Sequence, residues 1–269
     1  MAPFTGKAAA FLALHQPGNP LLQPNAFDIG SAKILQSLGY SAIATTSGGF
    51  AATMGRADGQ MTRDEVLAHC SALAAAVTIP VAADFENAFA DDPDDVAANV
   101  ALAAGTGLAG CSVEDWSGSS IYEMSHAVDR VAAAADAAHN APMPIVLTAR
   151  AENLIHGVDD LDDTIARLQA YRAAGADVLF APGLRSVDMI RSVTSAVDAP
   201  LSVLVLPGLP TVAEVADAGA ARISVGGSWA IVAYAAVIEA ANELKDAGTH
   251  QAATRAFGSA ATIRGAFGA

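Results

Sequence analysis

Eight short apolar runs, each followed by a longer segment, mostly alanine-rich with helical spacing, recur along this 269-residue chain. Strand-like runs joined by crossovers of this length lie parallel, because each connection is long enough to return over the sheet. The strand candidates are LLQPNAF (21–27), SAIATT (41–46), IPVAADF (79–85), AGCSVE (109–114), PIVLTA (144–149), DVLFA (177–181), PLSVLVL (200–206) and ARISVG (221–226). Helical patterns occupy 63–76, 94–104, 122–139, 160–174, 186–196, 211–218 and 228–245. Gly39, Gly105, Gly175 and Gly219 stand at expected helix exits, where glycine readily adopts the closing conformation.

Eight such units predict an α/β fold, a closed (β/α)8 barrel of the TIM type. A doubly wound open sheet is the rival, and the absence of a phosphate-binding glycine fingerprint near the first turn counts against it. No linker or break in composition divides the chain, so one domain is expected over 1–269. Residues 228–264 hold more helix than one barrel unit needs, which predicts a C-terminal helical extension from about residue 246.

The segment KAAAFLALHQPG near the start reads as a short helix. WAIVAYAAVIEAA, the longest later apolar stretch, falls short of the ~20 residues that span a bilayer. A soluble, cytoplasmic protein is expected. The net charge of −14, from 14 basic and 28 acidic residues, argues against nucleic acid or an anionic membrane as partner and favours a cation. Cys70 and Cys111, the two cysteines, suit neither a disulfide framework nor a zinc site and are expected as buried thiols.

Polar residues concentrate where the strands end, the face on which such barrels build their chemistry. Strand 2 runs into Thr45-Thr46-Ser47-Gly48-Gly49, strand 3 into Asp84 and Glu86, strand 4 into Glu114-Asp115, and strand 5 into Arg150 and Glu152. Asp84 and Glu86, two residues apart, are expected to share one side of a strand with Glu114 beside them. Oxygen-only ligands without histidine or cysteine indicate a hard ion, Mg²⁺ or Mn²⁺. The acids of DDPDD (91–95) read instead as helix-start residues around Pro93. TTSGGF could present backbone N–H groups to an oxyanion, and Arg150 could grip a carboxylate bidentately. Gly226-Gly227-Ser228 is a weak phosphate-site signal, and His156 is open between loop and site. His69, His126 and His139 are expected on helix surfaces.

Taken in order, PNAFDIGSAKILQSLGYSAIATTSGG, GRADGQMTRDE, PVAADFENAF, GCSVED, LTARAEN, AGADVLFAPG and RISVGG resemble the isocitrate lyase/phosphoenolpyruvate mutase superfamily over nearly the whole chain. The resemblance implies Mg²⁺ held directly by Asp84 and through waters by Glu86, Glu114 and Asp58. It implies substrate binding by Thr46, Ser47, Gly48 and Arg150, with Arg150, Asp58 and Glu114 as the catalytic set. It also implies a homo-oligomer, commonly a tetramer that exchanges the last barrel helix.

The chain departs from the pattern in places. The Lys-Lys-Cys-Gly-His lid of the isocitrate and methylisocitrate lyases is replaced by EDWSGSSIYEM, which has no cysteine, histidine or lysine. The lysine and asparagine of the phosphonate-processing members are missing there too. The usual Gly-Tyr-Gly reads Ala88-Phe89-Ala90, and Ser202 stands where an asparagine is expected on strand 7. The leading expectation is a Mg²⁺-dependent lyase or decarboxylase that cleaves a C–C bond in a small anionic 2-oxo or 2-hydroxy dicarboxylic acid through an enolate. P–C bond chemistry on phosphonopyruvate and a non-catalytic metabolite-binding barrel are the alternatives, and the residues select no general acid.

Overall fold

The computed structural model describes residues 4–268. The chain runs α1 (Gly6–Ala13), β1 (Leu21–Gln23), α2 (Ile29–Ser37), β2 (Ile43–Ala44), α3 (Ser47–Thr53), α4 (Arg63–Ala76), β3 (Val81–Asp84) and α5 (Pro93–Ala104). It continues through β4 (Gly110–Glu114), α6 (Met124–Asn140), β5 (Val146–Arg150), α7 (Leu161–Ala173), β6 (Val178–Phe180) and α8 (Val187–Ala196). The last elements are β7 (Leu201–Leu204), α9 (Val212–Asp217), β8 (Arg222–Ser224), α10 (Ser228–Ala247), α11 (Gln251–Phe257) and α12 (Ala260–Ala266).

The eight strands form one parallel sheet in the order β1-β8-β7-β6-β5-β4-β3-β2. The two end strands then meet: Asn25 bridges Ala44, the Ala26 N–H donates to the Ala44 carbonyl at 2.7 Å, and the Ala44 N–H donates to the Pro24 carbonyl at 2.9 Å. The sheet is thereby a nearly closed (β/α)8 barrel. Strand 1 is shorter than its apolar run suggests, because Pro24 has no N–H to give a ladder.

Side-chain caps set where several helices begin. Asp28, Thr62 and Thr211 each close a capping box, with Ser31, Glu65 and Glu214 respectively, while Asp92, followed by Pro93, accepts from Asp94. The acids of 91–95 thus start α5, as expected. The main core lies between barrel and helices, with Ile43, Phe85, Leu147, Leu168, Leu179 and Ile190 fully buried. At the amino ends of the strands α1 plugs the barrel with Phe11, packed with Ala82, Val146 and Val178.

Inside the barrel the side chains are unusually polar. Gln23, Ser112, Thr148, Ser202, Arg222 and Ser224 are all buried, in place of the branched aliphatic layers typical of such barrels. Arg222 donates from Nε to Ser202 Oγ at 2.8 Å and from Nη1 to His15 Nε2 at 3.2 Å, with Thr148 Oγ1 at 3.3 Å. Because a guanidinium only donates, His15 Nε2 is the acceptor, and its Nδ1 carries the proton given to the Phe11 carbonyl at 2.9 Å. Burial, with Arg222 beside it, pushes the His15 pKa down to about 3.

The expectation of helix-surface histidines fails at two positions. His139 is buried, with Nε2 2.9 Å from Asp177 Oδ2, and His69 lies stacked on Phe50 at 3.8 Å with its Nε2 buried and unpartnered. Both pairs are distant in sequence, so helical spacing carries no trace of them. Cys70 and Cys111 are buried free thiols, as expected, pushed up to about 12 by burial. No helix among the described residues is long and apolar enough to cross a membrane.

Candidate active site

The carboxyl ends of β2, β3, β4 and β5 surround a cavity of about 590 Å³, lined among others by Ser47, Asp58, Glu86, Glu114, Arg150 and His156. A narrower cavity of about 100 Å³ continues into the barrel past Asp84 and Arg150 to Arg222. A third cavity, about 420 Å³, lies at the other end, lined by residues of the α1–β1 and α2–β2 connections such as Asn19, Leu22 and Tyr40. Its lining holds no acid, histidine, lysine or arginine and offers no comparable chemistry.

Arg150 organises the site. Its Nη1 lies 2.6 Å from Asp84 Oδ1 and 3.2 Å from Glu114 Oε2, and its Nε lies 2.8 Å from Glu152 Oε1. Parallel pairing of β4 with β5 sets Glu114 directly beside Arg150. Burial works against the guanidinium's charge, but Glu152, Glu114 and Asp84 overcome it and keep Arg150 firmly protonated. Nη2 makes no hydrogen bond among the described residues. The other oxygen of Asp84, Oδ2, accepts from both the N–H and the hydroxyl of Ser47 at 3.0 Å.

Glu86 reaches this cluster by a route that strand alternation does not provide. β3 ends at Asp84, and Glu86 has φ 49°, in the left-handed region, as do Ala88 at 60° and Phe89 at 57°. The expected shared face of one strand is therefore replaced by a turn, which sets the Glu86 carbonyl against the Glu114 N–H at 3.0 Å. Such backbone costs a non-glycine residue roughly 1–2 kcal/mol, so something must hold it. Arg130, buried, donates to the carbonyls of Glu114, Asn87 and Ala90 at 3.0, 2.5 and 2.9 Å. Asn99 holds the Ala88 carbonyl at 2.8 Å. The left-handed turn is thus present although Ala88 and Phe89 replace the first two residues of the family's Gly-Tyr-Gly.

Charge is concentrated here beyond what Arg150 neutralises. Burial, then Asp84 and Asp58, push Glu86 up to about 7. Burial also dominates at Glu114, where Arg150 opposes and Glu152, Asp84 and Glu86 add, leaving it up at about 8. Oε1 of Glu86 is buried and has no hydrogen-bond partner among the described residues. Among the described residues no three carboxylate, histidine or cysteine side chains stand close enough to chelate an ion directly. The orphaned oxygen and the oxygen-only donors fit a hard cation held by one carboxylate directly and by others through water.

The remaining candidates divide. Thr46 is buried and its hydroxyl caps α3 by accepting from the Gly49 N–H, and neither it nor Gly48 lines the cavities of the site. Gly48 sits in the first turn of α3, where its N–H has no intrahelical acceptor. A Cβ there would lie 3.0 Å from Asp58 Oδ2, so glycine allows the Asp58 loop to close on α3. Gly226 donates its N–H to Asn25 Oδ1 at 2.9 Å and lines the inner cavity. Asp115 turns away from the cavity to accept from Tyr171, Arg167 and the Glu152 N–H at 2.5, 3.1 and 2.8 Å. His156 joins the site, its ring flat against Trp116 at 3.7 Å. Tyr122 bonds Asp91 and Asn87 and lies under Arg130.

Asn25 was not singled out from the sequence. Its Nδ2 donates to the Thr45 carbonyl at 2.7 Å while Oδ1 accepts from Val225 and Gly226 at 3.2 and 2.9 Å. The one available signal was an amide directly after a proline in an apolar strand run.

Residues 11–245 match the sequence profile of the phosphoenolpyruvate phosphomutase family. Escherichia coli K12 2-methylisocitrate lyase is 31% identical over 211 residues, covering 71% of this chain and 70% of its own. A Burkholderia cenocepacia J2315 structure described only as a lyase/mutase superposes with TM-score 0.89 at 47% identity, over 92% of this chain and 91% of that one. A 2,3-dimethylmalate lyase structure follows at TM-score 0.82 and 28% identity, over 92% and 90%. With an arginine–carboxylate cluster at the strand ends of a (β/α)8 barrel and these likenesses, the chain belongs to the phosphoenolpyruvate mutase/isocitrate lyase superfamily of lyases and related enzymes.

Proposed function

We propose that this enzyme is a Mg²⁺- or Mn²⁺-dependent lyase that cleaves a C–C bond in a small 2-oxo or 2-hydroxy dicarboxylic acid through an enolate. The observation that carries the reading is the cluster at Arg150, where the buried Glu152 and the partly buried Asp84 and Glu114 meet one guanidinium and a fourth acid, Glu86, keeps an orphaned buried oxygen. Asp84 would hold the ion directly, with Glu86, Glu114 and Asp58 ordering its waters. When bound, the ion supplies Lewis-acid stabilisation of the charge that develops as the bond breaks.

The chain's own groups bind and orient the substrate. Arg150 offers Nη2 to a substrate carboxylate, its other nitrogens being fixed by Asp84, Glu114 and Glu152. A guanidinium tied at two nitrogens loses little freedom on binding. The N–H of Gly48, with that of Ser47 once the Asp84 contact yields, donates to an oxyanion. Trp116, Ser117 and Gly118 wall the cavity on the side of the 115–122 loop and limit water there.

The enzyme further reads as a homo-oligomer that exchanges α10. Only Ala230 of that helix is buried, while Ile231 and Val237 are 70% and 65% exposed. An apolar helix following the eighth strand but leaving its face uncovered suits burial against a second copy of the chain.

Calorimetric titration of oxalate, a mimic of pyruvate enolate, with and without Mg²⁺ tests the site. Binding that needs both Mg²⁺ and Asp84, and is lost in Asp84→Ala, is the expected result. Binding indifferent to both would remove the metal assignment.

A further inference from the structure

Cleavage to an enolate leaves a carbon that must receive a proton, and the loop where related lyases carry their acid has none to give. Residues 116–122 are Trp, Ser, Gly, Ser, Ser, Ile and Tyr. Tyr122 does not line the cavity, and its hydroxyl is engaged by Asp91 and Asn87. We propose that His156 is the acid/base of this site, exchanging a proton with C3 of the enolate. The inference rests on the enolate reading given above.

The lining residues select it by elimination. In the proposed site Asp58, Glu86 and Glu114 order the waters of the ion, Arg150 is too basic to release a proton, and Glu152 is tied to Arg150 Nε at 2.8 Å. His156 is the remaining lining side chain that both takes and gives protons near neutral pH.

Its setting suits that task. The ring stacks on Trp116 at 3.7 Å and 9°, which fixes its plane, and its main-chain N–H donates to the Glu152 carbonyl at 3.1 Å, which fixes its loop. Neither ring nitrogen makes a hydrogen bond among the described residues, and Glu152 Oε2 lies 3.8 Å from Nε2. The side chain is 31% exposed, so the proton can be renewed from solvent. Glu152 and Arg150 stand beside it at the cavity wall, with Asp115 behind; burial and then Arg150 favour the neutral ring, Asp115 the charged one.

The step balances without a further reagent. As C3 becomes a carbanion, the imidazolium N–H bond breaks, its proton forms the new C3–H bond, and the N–H electron pair stays on the ring. In reverse, neutral imidazole takes a methyl proton from pyruvate and leaves the enolate.

The reverse step supplies the test: exchange of pyruvate methyl protons with D₂O, followed by NMR in the presence of Mg²⁺, on wild type, His156→Gln and His156→Asn. Oxalate titration on the same proteins reports whether the site remains formed. The expected result is exchange in wild type that falls by about 10²-fold or more in both variants, with oxalate affinity preserved within about threefold, as losing no bond to the ligand predicts. The pH at which exchange rises should match the midpoint of the Trp116 fluorescence change, taken as wild type minus His156→Gln, since a charged imidazole quenches the indole stacked on it. Equal exchange in variant and wild type overturns the assignment, as does a wild type that binds oxalate but does not exchange. Failure of wild type to bind oxalate defeats the enolate site itself, and the assignment with it.

Discussion

Acidification should weaken the fold through His15, which lines neither cavity of the site. In the native barrel Arg222 donates to Nε2 of this ring and Nδ1 donates to the Phe11 carbonyl, so a second proton has no place. Its pKa falls from 6.5 to about 3, through burial first and Arg222 second. A lowered native pKa means that the unfolded chain binds the proton more tightly. The stabilising contribution is therefore complete above the unfolded value and is lost as pH falls from about 6.5 towards about 3. Linkage gives a loss of about 1.4 kcal/mol between about pH 7.5 and about pH 5.5, and roughly as much again for each further unit until the native pKa is approached. Glu86 and Glu114, raised to about 7 and about 8, act in the opposite sense, so the total slope mixes signs. The useful quantity is the difference in urea unfolding free energy between wild type and His15→Gln, whose amide offers both a donor and an acceptor but no titration. That difference should shrink on acidification by the amount given. Curves that stay parallel would refute both the assigned tautomer and the donation from Arg222.

Three other changes test the described contacts. Arg150→Met leaves the buried Glu152 and the partly buried Asp84 and Glu114 without their cation; a loss of about 3 kcal/mol in urea unfolding with chelator present, together with loss of oxalate binding, is expected. Asp115→Asn replaces the acceptor shared by Tyr171, Arg167 and the Glu152 N–H, and a cost of about 3 kcal/mol should lower the calorimetric Tm by about 6–12 °C. Ile231→Asp combined with Val237→Asp places charge on exposed apolar positions of α10; if that helix is exchanged as proposed, sedimentation should show a wild-type oligomer and a monomeric variant.

The barrel was legible because its signal is local. α4 occupies the predicted 63–76, and seven of the eight strands fall within their apolar runs, while β5 runs one residue beyond its own to Arg150. α2 and α3 were not foreseen: IGSAKILQS is brief, and TTSGGF reads as a turn on glycine content, although Thr46 caps it into helix. At the site the residue types were readable and their directions less so. Alternation placed Glu86 on the face of Asp84, whereas a left-handed turn held by Arg130, over 40 residues away in sequence, delivers it. The His139–Asp177 and Trp116–His156 contacts likewise join segments 38 and 40 residues apart, and no short-range pattern encodes them. The ion pair from Arg150 to Asp84 spans 66 positions and becomes visible only when the strands are set side by side.

The seam between β1 and β2 gives the barrel the mechanics of a curled sheet closed by a clasp. Every other neighbouring pair of strands shares at least two ladder positions, while this one has a single bridge at Asn25. The side chain of that residue reaches the Thr45 carbonyl on one side and the Val225 and Gly226 N–H groups on the other. One amide therefore draws together the outgoing ends of strands 1, 2 and 8. Where the ladder is thinnest, that side chain pins the barrel shut beside the strand end that leads into Ser47, and it does so from the wall of the inner cavity.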